Sequence, residues 1–118
     1  MKIATLGRRT EFDLVYAQGR RSVCDALVLL HLESAPEPRV AFVASRKVGG
    51  AVARNRAKRV MRAAFRQAAD DLPENLGWMV LIARREILPL KSHEVAARLC
   101  NLLSGLRAPE GSPERPLS

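Results

Sequence analysis

The sequence predicts an α+β domain, with helices and strands in separate layers. Three observations predict it. A β-rich apolar run at 23–32, the two-proline loop Ser34-Ala35-Pro36-Glu37-Pro38 and a second apolar run at 39–45 read as an antiparallel strand pair. A long stretch with apolar residues at helical spacing opens just after Gly49-Gly50. A short continuously apolar run at 78–83 then precedes another helical pattern. At 118 residues the chain is expected to be one domain, 1–106, followed by a Pro-rich, flexible tail at 107–118.

The elements follow in order. Thr10 is placed to cap a first helix at 11–18, with Asp13 as a capping-box partner and Gly19 as a left-handed stop. Residues 23–32 and 39–45 are the first two strands. The long helix is expected at 51–71, where Ala53, Ala57, Val60, Met61, Ala64 and Ala68 form an apolar stripe. Pro73-Glu74-Asn75-Leu76-Gly77 is a turn, and 78–83 a central strand in which Trp78 is core. Ser92 caps a last helix at 93–106, whose inner side is Val95, Ala96, Leu99, Leu102, Leu103 and Leu106. The longest apolar runs are far too short to span a bilayer, and the first residues lack the apolar segment of a signal peptide. Cys24 and Cys100 have no metal-ligand spacing and read as reduced cytosolic thiols.

Charge is the most informative feature for function. Residues 38–69 hold nine Lys/Arg and no Asp or Glu. The rest of the chain holds eleven basic and twelve acidic residues, so the segment carries +9 against −1 elsewhere, within a net charge of +8. On a helix advancing about 100° per residue, Arg54, Asn55, Lys58, Arg59, Arg62 and Arg66 share a face of about 140°, roughly opposite the apolar stripe. Such a face matches a line of phosphates, and arginine adds bidentate and stacking geometry. The competing readings are a solvated basic face or a basic helix that meets a membrane or a partner. The run lacks the i,i+4 acids of an ordinary solvated helix, and its Ala-rich apolar side has few bulky membrane anchors.

Phe12 and Tyr16, four residues apart, share a helix face suited either to stacking on bases or to core packing. A protein catalytic site is not expected. His31 and His93 are the only histidines and stand in no ligand or nucleophile spacing, and the carboxylates are scattered.

Ala41-Phe42-Val43-Ala44-Ser45-Arg46-Lys47-Val48-Gly49-Gly50-Ala51-Val52-Ala53-Arg54-Asn55-Arg56-Ala57-Lys58-Arg59-Val60-Met61-Arg62-Ala63-Ala64-Phe65 resembles the signature of the bacterial ribonuclease P protein component. That pattern is a strand ending in Ser-Lys/Arg-Lys, then Val/Ile-Gly, Ala-Val, Arg-Asn-Arg, Lys-Arg and Arg. The resemblance extends to 9–19 and 80–84 and reaches most of 2–106. It implies an α/β sandwich of about four strands and three helices, in the order α-β-β-β-α-β-α, with a left-handed βαβ crossover against the usual preference. It also implies a subunit that binds the catalytic ribonuclease P RNA and the 5′ leader of precursor tRNA, one protein per RNA, in the cytoplasm and away from membranes. Chemistry and Mg2+ would belong to the RNA-containing holoenzyme, with no cofactor on the protein itself.

By the same resemblance, Arg54, Asn55, Arg56, Lys58, Arg59, Arg62 and Arg66 would contact the RNA subunit. Phe12, Tyr16, Ser45, Arg46 and Lys47 would line a leader cleft between the first helix and the sheet. His31 aligns where the family often has another aromatic, and imidazole stacking would replace it. The alternative reading is a non-catalytic ribosome-associated or other structural RNA-binding protein. A DNA reader would normally show a helix-turn-helix pair or dimer heptads, and neither is present.

Overall fold

The computed structural model of the chain describes residues 4–35, 37–72 and 76–106. In chain order the elements are β1 (Ala4–Thr5), α1 (Arg9–Gln18), β2 (Arg20–Val23), β3 (Leu27–Leu32), β4 (Arg39–Val43), α2 (Ala51–Gln67), β5 (Trp78–Ala83) and α3 (Ser92–Leu106). This is the expected α-β-β-β-α-β-α order, preceded by one two-residue strand. The sheet runs β1-β4-β5-β3-β2. β4 pairs with β1 and β5 in parallel, while β3 pairs with β5 and β2 antiparallel. The body is therefore a mixed four-stranded sheet, β2 to β5, with β1 added at the β4 edge. The β4–α2–β5 unit is its parallel crossover.

Side chains alternate across a strand, so each face of the sheet builds its own core. Leu27, Leu29, Val40, Met79, Leu81 and Ala83 point to one face. There they meet Ala57, Met61, Ala64 and Phe65 of α2 and Val95, Leu99 and Leu103 of α3. Leu30, Leu32, Ala41 and Val80 point to the other face, against Leu6 and against Val15 of α1. The result is α1, sheet, then α2 with α3.

Several boundaries differ from the sequence-based expectation for physical reasons. The run at 23–32 is not one strand but the last residue of β2, a turn at 24–26 and β3, the turn closed by a Cys24 N–H bond to Leu27 O at 3.0 Å. The expected pair at 23–32 and 39–45 are not neighbours either, because β5 lies between β3 and β4. Helix α1 starts at Arg9 and is capped by Glu11 rather than Thr10: one carboxylate oxygen accepts the N–H groups of Gly7 at 3.0 Å and Arg8 at 3.1 Å. Gly19 stops α1 in an extended conformation, φ −73°, not a left-handed one. Glycine is needed there for space, since a Cβ would lie 2.6 Å from Val15 O and 3.3 Å from His31 O.

Helix α2 ends at Gln67, and 69–71 form a separate tight turn. At α3 the capping carboxylate is Glu94, which accepts Lys91 N–H at 2.8 Å. Ser92 Oγ instead accepts a bond from Gln67 Nε2 of α2 at 2.9 Å. Gly77 has φ +59°, and a Cβ there would collide with Leu32 O, so the turn into β5 requires glycine. Residues 73–75 of the expected turn and the tail at 107–118 lie outside the described residues.

Candidate nucleic-acid interface

Helix α2 buries Ala57, Val60, Met61, Ala64 and Phe65, which leaves its other side to the cations. Asn55, Arg59, Arg62 and Arg66 are exposed, and Arg54, Arg56 and Lys58 are partly buried. Arg54 is steadied by an Nη1 bond to Gly49 O at 3.1 Å. The Arg62 guanidinium lies 5.7 Å from the Phe42 ring centroid, and Phe42 meets Phe65 edge-on at 5.8 Å. An aromatic pair thus supports one arginine from below. Among the described residues, no α2 cation lies within ion-pair distance of a carboxylate; the ion pairs are Arg39 with Glu11 and Glu37, Arg84 with Glu86, and Arg98 with Asp25.

Two members of the basic segment behave differently from the rest. Arg39 is neutralised within the fold. Its Nη1 meets Glu11 at 2.6 Å, its Nη2 meets Glu37 at 3.1 Å, and it lies 5.8 Å from the Trp78 ring centroid. The Glu11 carboxyl is held below its ordinary value by the N–H groups of Arg8 and Gly7 first, and then by the Arg39 charge. Arg56 sits about 60° beyond Arg59 around the helix, off the main face. Its Nε donates to Leu88 O at 3.3 Å and its Nη2 to Leu90 O at 3.2 Å, tying α2 to the loop before α3.

On the opposite side of the sheet, Tyr16 is 50% exposed and Phe12 is partly buried, with ring centroids 6.3 Å apart. Val15 between them is fully buried, so α1 is anchored by Val15 and presents Tyr16. Ser45, Arg46 and Lys47 are exposed in the turn that leaves β4, closed by Val48 N–H to Ser45 O at 3.0 Å and Gly49 N–H to Arg46 O at 3.2 Å.

His31 does not join this surface. It pairs with Met79 and shares strand parity with Leu27 and Leu29, so its side chain points to the α2/α3 face. It is 3% exposed, and its Nε2–H donates to Leu76 O at 2.7 Å. Imidazole stacking in the cleft is thereby excluded. What lies on the α1 face, toward the opposite end of these strands from His31, is a cross-strand row. Val43 pairs with Ile82, Ile82 with Val28, and Val28 with Val23. Val23 is 44% exposed and the other three are partly buried. Sequence reasoning missed this row; strand parity carries the signal once the register is known.

Other reactive groups take no part in these surfaces. Cys24 and Cys100 are free and partly buried. A bond to Asp71, together with burial, pushes the Cys100 thiol up to about 11. Among the described residues no group of His, Cys, Asp and Glu could hold a metal ion, and no helix is long and apolar enough to cross a membrane.

An α+β sandwich with a cationic helix on one face, and an aromatic-edged apolar floor on the other, defines a nucleic-acid-binding protein. Comparisons with known proteins narrow the class. The family model described as Ribonuclease P matches residues 1–107. The chain is 36% identical to the ribonuclease P protein component of a Nitratiruptor species over 105 residues, covering 89% of this chain and 94% of that one. Its fold is similar to the RNase P protein from Thermotoga maritima, with TM-score 0.73, 28% identity and coverage of 90% and 98%. It is also similar in fold to the Staphylococcus aureus RNase P protein, with TM-score 0.71, 21% identity and coverage of 90% and 97%. The chain belongs to the ribonuclease P protein family. Its function is that of the protein component of this ribonucleoprotein, in 5′ maturation of tRNA.

Proposed function

We propose that the chain holds two RNAs on opposite sides of its sheet. The outer side of α2, with Arg54, Asn55, Arg56, Lys58, Arg59, Arg62 and Arg66, binds the ribonuclease P RNA. The α1 side, with Phe12, Tyr16, Ser45, Arg46, Lys47 and the Val43–Ile82–Val28–Val23 row, receives the single-stranded 5′ leader of precursor tRNA. One protein serves one RNA, in the cytoplasm. The RNA performs the hydrolysis with Mg2+, and the protein contributes positioning and charge.

The observation that carries this reading is the set of α2 cations that no carboxylate of the described residues neutralises. Concentrated positive charge destabilises a compact fold by self-repulsion, and an RNA backbone relieves it while releasing counterions. The α1 side supplies what a flexible single strand needs: an aromatic edge for stacking, an apolar floor and a cationic turn. Because the sheet separates the two sides, leader and RNA subunit do not compete for one surface.

The test is to add the purified protein to bacterial ribonuclease P RNA at low magnesium with a precursor tRNA. The expected result is leader cleavage by the mixture and none by the protein alone. No gain over RNA alone would overturn the proposal.

A further inference from the structure

Arg56 and Arg59 of α2 and Lys91 and Ser92 at the start of α3 line one open groove of about 270 Å³, floored by Val60 and Ala63. We propose that this groove seats a backbone phosphate of the RNA subunit, with Arg56, Arg59 and Lys91 as its cations. The proposal rests on the RNA-binding reading of α2 and extends that surface around to α3.

Three cations gathered on one groove repel one another, and an anion converts that cost into binding. Arg56 is already held by its bonds to Leu88 O and Leu90 O, so its planar fork loses little further freedom on meeting an anion. Ser92 accepts from Gln67 through its oxygen and keeps an O–H to donate. Glu94, the carboxylate in the first turn of α3, is turned to the Lys91 backbone N–H. The groove is close to the lower end, roughly 300 Å³, of sites that hold small molecules. It is thus roomy enough for a phosphate with its ribose against Val60 and Ala63. RNA is the fitting source because Arg59 belongs both to the groove and to the exposed cationic face of α2. A strand lying along that face reaches the groove without a break.

Lys91 is the residue to change: it is exposed and lies outside the Arg54–Arg66 run. The experiment measures binding of the full chain to bacterial ribonuclease P RNA across a salt series, for wild type, Lys91→Ala and Arg62→Ala, with circular dichroism as the folding control. If Lys91 meets a phosphate, its loss reduces the salt slope by about one unit, so doubling the salt costs Lys91→Ala about twofold less affinity than it costs wild type. Ethylating the seated phosphate should weaken wild type more than Lys91→Ala, which keeps only Arg56 and Arg59 against it. A Lys91→Ala slope equal to wild type, with Arg62→Ala reduced, overturns the groove and leaves the α2 reading standing. No salt-dependent binding by wild type overturns both.

Discussion

Replacing Tyr16 by Ala should separate substrate binding from assembly. The ring is 50% exposed, so it retains roughly half of the 150–250 Å² an aromatic side chain can bury. At about 25 cal/mol per Å² that is at most about 2–3 kcal/mol of folding free energy, and the extended-chain reference makes it an upper figure. A domain with about 5–15 kcal/mol of stability stays folded, particularly since the fully buried Val15 continues to anchor α1. The leader should lose more, in relative terms. One aromatic–base stack is worth about 1–3 kcal/mol, which is about five- to over a hundredfold in affinity. The assay is the dissociation constant of the holoenzyme, at saturating protein, for precursor tRNA and for mature tRNA. The loss should appear for the precursor and vanish for the mature form, which has no leader. Equal weakening of both, or of neither while the variant remains folded, refutes the placement of the leader at Tyr16.

Two further outcomes follow from the described contacts. Changing Arg59, Arg62 and Arg66 together to Ala should flatten the salt slope of RNA binding by nearly three units with native circular dichroism, whereas an unchanged slope would make them a solvated face. They are preferred to a set containing Arg56, whose loss also frees Leu88 O and Leu90 O. Glu11 has a folded pKa below its ordinary 4.5, so the stability it contributes is present above the unfolded value and is lost as pH falls through the folded one. Urea midpoints measured from pH 6 down to pH 3 should therefore fall less steeply for Glu11→Gln than for wild type. Parallel curves would show that the Gly7, Arg8 and Arg39 contacts do not favour the charged form.

Much of the fold was legible because it rests on local pattern. Helix α2 runs for 17 residues with its apolar stripe at regular spacing, so its start and its cationic side follow from local signals. Strand β2 was not legible. It is an edge strand whose Arg20 and Arg21 face solvent, so it carries no apolar alternation and merges in sequence with the turn at 24–26. Lys91 joins Arg56 only because α2 and α3 pack together, which neither helix's own period encodes. His31 shows the same limit inside a single strand. β3 is apolar at nearly every position, so its sequence does not say which parity faces α1. The pairing of His31 with Met79 and of Val28 with Ile82 decides it. A slip of one residue would bring His31 to the α1 face and turn Val28 inward. The apolar floor on the α1 side is therefore a property of the register of β3 against β5. Substitutions that leave every surface residue in place but weaken that pairing should damage the cleft before they damage the cationic side of α2, whose exposed residues depend on the helix alone.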